Sequence, residues 1–582
     1  MLKIFGRLRA KEWSMIGISL MFIVAQVWLD LRVPQIMEEI TQIVSTPGGE
    51  LRDVLTQGGM MLLATLGSIV TAVIISFFGS RVAASFARRL RRDVFCRVES
   101  FSLEEINGFS TASLITRTTN DVTHIQMGLA IGMMAVIRAP IMATWAVMRM
   151  SGMDWSWTAL TGGLAVAIMI MIASLMAYAL PKFNKIQMLT DNLNRVTREN
   201  LTGIRVVRAY NAERFQEAKF EEANDDFTNN NLAVNRAMQV LNPVMRLVMT
   251  GLSLGIFWIG AFLIDAAPAY YRIDIFSNMV VFSQYAMQVI MAFMMLTMVF
   301  IMMPRVIVSA RRINEVLMTI PKIVDGPVAN PPGEAAGEVE FKNVSFKYPG
   351  SDEYVLRDIS FKAARGETVA FIGSTGSGKS TLLNLIPRFY DVTEGQALVN
   401  GVDVREYKLE SLRDKLGYVP QRAVIFTGTV SSNVSFGTDD NAEHVRHAVE
   451  VAQGTEFVEK MDEAYSAPIS QGGSNLSGGQ RQRLSIARAV YRSPEIYLFD
   501  DSFSALDFKT DRALRSALKR ETQGATHLIV AQRIGTIRDA DRIIVLDEGE
   551  IVGSGTHEHL MQTCEVYQEI AYSQLSKEEL GA

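Results

Sequence analysis

Cysteine is nearly absent, two residues in 582, Cys96 and Cys564. Both fall in stretches that the charge pattern below assigns to the cytosol, where thiols stay reduced, so no disulfide framework is expected. Charge is also scarce, 20% of residues, with a net charge of -4 and a pI near 6.0. No dense basic block stands apart from the apolar segments, which argues against nucleic acid as a partner. A small-residue cleavage site is missing too. Lys3, Arg7, Arg9 and Lys11 precede an apolar run from Trp13 to Leu29, but that run is long for a secretory signal core and continues into Asp30, Arg32 and Pro34. It reads as a retained membrane span.

Apolar side chains, in contrast, make up 49% of the chain, with 31 methionines, and they concentrate in its first half. Stretches of about 20 apolar residues, the length a helix needs to cross hydrocarbon, are predicted near 13–33, 58–80, 126–148, 156–180, 244–264 and 276–303. Two long polar connectors of helical pattern, Arg81 to Gln126 and Pro181 to Asn242, follow the second and fourth spans. Lys and Arg accumulate on the cytoplasmic side of a membrane. Arg81, Arg88, Arg89, Arg91, Arg92 and Arg97 therefore place the first connector inside, and Lys182, Lys185, Arg195, Arg198, Arg205 and Arg208 the second. Glu38, Glu39, Glu50 and Asp53 suit an outside loop. The expectation is an integral protein in the lipid bilayer of the cytoplasmic membrane, with both termini cytosolic.

From Arg305 to Ile320 the helical pattern continues, until Gly326-Pro327-Val328-Ala329-Asn330-Pro331-Pro332-Gly333 breaks it. Beyond this, β-type runs such as Val369-Ala370-Phe371-Ile372 and Ile496-Tyr497-Leu498-Phe499 alternate with helical patterns. The predicted architecture is a membrane α-helical domain with six spans over 1–320, a linker over 321–336 and an α/β P-loop NTPase domain over 337–582.

Gly373-Ser374-Thr375-Gly376-Ser377-Gly378-Lys379-Ser380 fits G-x-x-x-x-G-K-[ST], follows an apolar strand and precedes the helical Thr381-Leu382-Leu383-Asn384-Leu385. The glycines let successive backbone N–H groups turn toward the phosphates of a nucleotide, with a helix N-terminus behind them. Lys379 is expected to reach the β and γ phosphates, and Ser380 to coordinate Mg²⁺. Asp500, at the carboxyl end of the strand from Ile496, is the second expected Mg²⁺ residue.

Between these motifs stands Asn475-Leu476-Ser477-Gly478-Gly479-Gln480, followed by Arg481-Gln482-Arg483. Leu-Ser-Gly-Gly-Gln resembles the signature of ABC transporter ATPases, and the resemblance extends over essentially the whole chain. Leu114-Ile115-Thr116-Arg117-Thr118-Thr119-Asn120-Asp121-Val122 resembles the first intracellular loop of the exporter type, and Glu199 to Tyr210 the second. The resemblance implies ATP and Mg²⁺ as ligands and a second ABC half-transporter as partner. Two ATPase domains meet head to tail, so Ser477, Gly478, Gly479 and Gln480 of one chain face the phosphate loop of the other. It also implies that Tyr348 stacks on adenine, an ordinary strand aromatic being the alternative. Gln421 resembles the glutamine that contacts Mg²⁺ and senses the membrane domain, and Ser504-Ala505-Leu506-Asp507 the loop beside the opposite nucleotide.

Three positions depart from the family pattern. Asp501 stands where the family has its catalytic Glu, Gln532 where it has a His on the γ phosphate, and Gln471-Gly472-Gly473 where Gly-Glu-x-Gly is common. His527 lies within an apparent strand and reads as structural. The pattern resembles the degenerate-site chain of a heterodimeric, multidrug-exporter-like transporter of amphipathic drugs, lipids or peptides. A homodimeric exporter, an iron-chelate importer of exporter-like fold and a non-transporting regulatory subunit are the alternatives. Within the spans, Arg138, Asn278, Gln284 and Gln288 are candidates for the substrate path or for bonds between helices. Met291, Met294, Met295 and Met298 are candidates for an adaptable pocket or for plain packing.

Overall fold

The computed structural model describes residues 6–45, 50–329 and 336–574. Lys3 and the part of the expected linker from Asn330 through 335 lie outside the described residues. The chain divides into two compact units, Met1–Val98 with Ala112–Thr319, and Glu99–Thr111 with Ile320–Ala582.

The first unit is helical: α1 (Ala10–Ser45) and α2 (Leu51–Glu99), then, beyond the short α3 described below, α4 (Thr111–Thr118), α5 (Asn120–Met150), α6 (Trp155–Thr202), α7 (Ile204–Ala209), α8 (Glu213–Gln239), α9 (Leu241–Ala266) and α10 (Arg272–Met318). Six helical stretches among the described residues are long and apolar enough to cross a membrane. The helices overrun the predicted spans because no Gly/Pro cluster separates an apolar stretch from its polar connector. The 48 residues of α6 reach about 72 Å at 1.5 Å per residue, more than twice the roughly 30 Å of hydrocarbon. Pro34, Pro140, Pro181 and Pro304 lie inside helices, a tolerance typical of membrane bundles, where neighbours satisfy the freed carbonyls.

Long-range contacts hold this unit together. At Gly128 of α5 an added Cβ would lie 2.5 Å from Val306 Cγ2 of α10, so only glycine permits this approach. Nearby, Ser309 Oγ donates to Asp121 Oδ1 at 2.7 Å and lies 3.2 Å from His124 Nδ1. Toward the opposite end, the fully buried Trp157 of α6 leans on Phe282 of α10 and donates from Nε1 to the Ile256 carbonyl of α9 at 3.1 Å. Tyr285 donates its hydroxyl to the Leu31 carbonyl at 3.2 Å.

The second unit is α/β. Strands β1 (Val339–Phe346), β2 (Leu356–Ala363), β4 (Glu394–Val399) and β5 (Val402–Asp403) form an antiparallel sheet in the order β2-β1-β4-β5. Strands β3 (Thr368–Gly373), β6 (Leu416–Val419), β7 (Ile496–Asp500), β8 (Thr526–Val530), β9 (Arg542–Asp547) and β10 (Glu550–Gly555) form the main sheet, ordered β10-β9-β3-β8-β7-β6. All its pairings are parallel except β9 with β10. β3, β7 and β8 are central and buried on both faces, hence their unbroken apolar runs.

A short helix from the first connector, α3 (Leu103–Phe109), belongs to this second unit. Ser102 and Glu105 close a reciprocal capping box at its start. Glu105 Oε1 accepts from the Lys322 amide at 3.1 Å, Lys322 Nζ pairs with Glu104, and Asn107 Nδ2 donates to Tyr390 Oη at 3.2 Å. The segment that resembles the first intracellular loop, Leu114 to Val122, lies instead in the first unit.

Candidate functional site

The phosphate loop is positioned by β3, whose last residue, Gly373, begins it. Gly376 and Gly378 have φ of 91° and 92°, conformations that glycine adopts without strain. A Cβ on Gly378 would also lie 2.9 Å from the Val355 carbonyl oxygen. Helix α11 (Lys379–Leu385) follows directly. Lys379 is folded back into the loop: its Nζ donates to the carbonyls of Gly373 and Ser374 at 2.9 and 2.7 Å and to Ser377 Oγ at 3.1 Å. Burial pushes its pKa down, and Asp501 and Asp500 oppose that shift.

Side chains from three strand ends converge on this loop. Ser380 Oγ donates to Asp500 Oδ1 at 2.7 Å, and Gln421 Nε2 donates to Asp501 Oδ2 at 3.3 Å. Burial raises the pKa of both carboxyls. Ser380 lowers that of Asp500, and Gln421 with Ser504 lowers that of Asp501. Asp501 has φ of 46°, left-handed for a non-glycine residue, a strained conformation held by its amide's bond to the Val530 carbonyl at 2.9 Å. A cavity of about 220 Å³ is lined by Thr375, Gly376, Lys379, Ser380, Thr381, Gln421, Asp501 and Gln532, among others. The carboxylate, hydroxyl and amide oxygens here form the hard-donor set that Mg²⁺ takes.

Other predicted residues sit apart from this cavity. Tyr348 packs edge-on against Tyr390, with its hydroxyl 2.9 Å from Thr381 Oγ1, so it is tied to the phosphate-loop helix through Thr381. Ser477, Gly478, Gly479 and Gln480 do not line the cavity. Ser477 caps α12 (Gly478–Tyr491) in a reciprocal box with Gln480, and Ser477 and Gly478 face solvent. The signature is thus displayed and not consumed within its own chain. His527 is buried on β8, stacked on Tyr497 and bonded to Thr522 Oγ1 at 2.8 Å, as a structural residue would be.

Gln574, at the end of α13 (Glu565–Gln574), was not foreseen. Its side-chain amide grips the loop after β8 at two points: Nε2 donates to the Gln532 carbonyl at 2.7 Å, and Oε1 accepts from the Ile534 amide at 2.9 Å. No local motif marks it, because both partners lie about 40 residues upstream.

In the membrane unit, Arg138 Nη2 donates to Asp30 Oδ2 at 2.8 Å. Asp30 also accepts from Ser68 Oγ at 2.5 Å, and its carbonyl accepts from Gln288 Nε2 at 3.3 Å. Asp30 was read only as the end of the first span, so its pairing was missed. Gln284 and Gln288 part company, since Gln284 is exposed. Met291 and Met298 point outward, and Met294 lines a cavity.

Comparison with known proteins agrees with this geometry. Residues 356–504 match the family described as ABC transporter, and residues 16–293 match ABC transporter transmembrane region. An uncharacterized ABC transporter ATP-binding protein of Mycobacterium tuberculosis is 39% identical over 535 residues, covering 90% of each chain. One from Bacillus subtilis is 33% identical, covering 98% of each. An ATP-dependent lipid A-core flippase of Haemophilus influenzae is 30% identical, covering 88% of this chain and 86% of that protein. The fold matches the structure of a bacterial Atm1-family ABC exporter with ATP bound, with a TM-score of 0.81, 24% identity, and 97% of this chain and 98% of that one covered. With its membrane helices, nucleotide cavity and outward-facing signature in one polypeptide, the chain belongs to the ABC transporters: an exporter-type half, an ATPase coupled to transport, that dimerises with a second ABC half.

Proposed function

We propose that this chain is the degenerate-site half of a heterodimeric exporter of amphipathic compounds, holding ATP at its own phosphate loop while its signature completes the partner's hydrolytic site. The observation that carries this reading is that the two departures from the family pattern, Asp501 and Gln532, line one cavity with Lys379 and Ser380. Both changes bear on the same phosphate.

Lys379 exchanges its loop carbonyls for β and γ phosphate oxygens, and the loop amides supply the remaining donors. Ser380, Asp500 and Gln421 hold Mg²⁺, which neutralises phosphate charge. Tyr348 leaves Thr381 to stack on adenine. Burial raises the pKa of Asp501, and its limitation as a base is reach. A carboxylate one methylene shorter sits about 1.5 Å back, and misplacement of that order lowers rate about a hundredfold. Gln532 donates a hydrogen bond but carries no charge and does not titrate near neutral pH. The Ser477 hydroxyl and the Gly478 and Gly479 amides, at a helix N-terminus where Ser477 and Gly478 are exposed, bind the γ phosphate of the ATP held by the partner.

The basic connectors put the ATPase unit and both termini in the cytosol of a cell-membrane protein. An amphipathic cargo is supported by the similarity to the Haemophilus influenzae protein named as a lipid A-core flippase. The test is ATPase activity of the purified chain alone and with its partner half. Removing the partner's catalytic carboxylate should abolish turnover, Asp501→Asn should change it modestly, and Ser477→Ala should damage it. Isolated homodimers that hydrolyse ATP at the rate of the pair would replace this reading with the homodimeric one. ATP-dependent uptake in the opposite direction would favour an importer, and no vectorial movement with any partner a regulatory subunit.

A further inference from the structure

We infer that the membrane unit binds an anionic amphiphile in the cavity between α9 and α10. The inference rests on the transport reading and deepens it by naming the charge class of the cargo. The cavity measures about 440 Å³, and its lining includes Asn242, Arg246, Thr250 and Ser253 of α9 and Met287 and Met294 of α10.

At the helical repeat, the four polar positions of α9 fall within an arc of about 80°. Apart from Asp265 at its far end, the polarity of this otherwise apolar helix is therefore gathered on one face, and that face borders the cavity. Packing against lipid or against another apolar helix does not call for such a stripe. Intramembrane polar residues concentrate where something polar passes.

Arg246 sets the charge preference. It is exposed, and among the described residues it forms no ion pair or hydrogen bond. Some other arginines of this unit are ion-paired, Arg138 to Asp30, Arg89 to Glu12 and Arg117 to Glu315, and what distinguishes Arg246 is its place in the wall of a cavity. A guanidinium offers a planar fork of donors that matches phosphate, sulfate or carboxylate, and Asn242, Thr250 and Ser253 add neutral hydrogen-bonding groups beside it. Among the described residues no carboxylate lines the cavity, so a cationic headgroup finds no counter-charge there. The methionines supply flexible, polarizable side chains that adapt to an apolar body. The volume lies within the range of small-molecule pockets and suits a headgroup with the start of its chain. Arg246 lies three residues into the fifth predicted span, which in the proposed orientation is the headgroup level of the inner leaflet.

The competing account is an arginine that merely snorkels to a membrane interface. The full chain in nanodiscs of zwitterionic lipid, titrated calorimetrically at low ionic strength without ATP, separates the two. Octyl phosphate should bind about tenfold more tightly than octyltrimethylammonium or inorganic phosphate. Arg246→Gln should erase this preference. Arg236→Gln, on α8 and outside the cavity, should leave it unchanged. Thr250→Val with Ser253→Ala, which keeps the charge, should weaken octyl phosphate severalfold, so the proposal stays testable if Arg246→Gln proves unstable. Equal affinity for the two amphiphiles, or a preference that survives Arg246→Gln, would overturn the inference in favour of snorkelling. Inorganic phosphate binding as tightly as octyl phosphate would reduce the cavity to a simple anion site and also overturn it. Because binding needs no ATP, intact selectivity without ATP-driven movement would count against the transport reading alone. ATP-driven movement without charge preference would count against this inference alone.

Discussion

Lys379 in the ATPase unit and Arg138 in the membrane unit are both cations drawn out of bulk water, and they are satisfied in opposite ways. Lys379 donates to acceptors no more than six residues away, in its own loop. Arg138 relies on Asp30, 108 residues earlier. A local solution is written in a motif, whereas a distant one exists only once helices have packed. The same difference separates the phosphate cavity, built from one loop and three strand ends, from the α9–α10 cavity, built from the facing surfaces of two helices.

The sharpest test of this contrast is to remove the distant partner. Arg138→Met leaves Asp30 without its counter-charge in a low-polarity bundle and should destabilise the membrane unit by about 3 kcal/mol. The charge-reversed pair Asp30→Arg with Arg138→Asp should recover part of that loss. Thermal unfolding of the full chain in micelles reads both. Lys379→Ala leaves the fold intact, because the groups it freed are loop carbonyls at a solvent-accessible rim, but it deletes hydrogen bonds to charged phosphate. ATP affinity should fall roughly 10- to 100-fold, at about 1.5 to 3 kcal/mol for such bonds, measured by equilibrium nucleotide binding.

His527 gives the ATPase unit an acid sensitivity. Burial lowers its pKa from 6.5 to about 4 in the folded state. The unfolded chain therefore takes up the proton first as pH falls, and stability declines from about 6.5 down to 4. Between pH 7 and pH 5 the loss should be about 2 kcal/mol, and His527→Gln should flatten that part of the denaturation profile. The smallest expected effect is at Gln574. Gln574→Ala releases the Gln532 loop and should lower kcat of the assembled transporter roughly fivefold, the value of about 1 kcal/mol of hydrogen bonding, with little change in KM for ATP. If KM rises instead, the clamp serves nucleotide binding and not the placement of Gln532.

Legibility followed the same division. The phosphate loop and the signature stand out in the sequence because each is a run of adjacent residues, and Asp500 because it ends an apolar strand. Asp501 and Gln532 were readable as departures because the motifs around them set their register. Gln574 was not, since nothing near it in sequence signals a grip on a loop about 40 residues upstream. The first connector was read through its Leu114–Val122 segment, and nothing in that reading marked α3, which belongs to the ATPase unit and whose sequence signal is only a capping box of four residues. Gln284 and Gln288, four apart, were read as sharing a face, yet one is exposed and the other bonded to Asp30. A 40° offset is enough to separate them at the edge of a helix contact.

By itself, the sequence determined that this chain has six apolar spans, an α/β nucleotide-binding domain, an intact signature and, at positions 501 and 532, residues that depart from the family pattern. These properties depend on run length, local spacing and residue identity. Tertiary structure alone decided which helices share the Asp30–Arg138 pair, that α3 belongs to the ATPase unit, that Gln574 braces Gln532, and that Arg246 faces a cavity with no partner among the described residues. Those outcomes depend on how helix and strand surfaces meet, and side-chain packing selects among pairings that the linear pattern leaves equivalent.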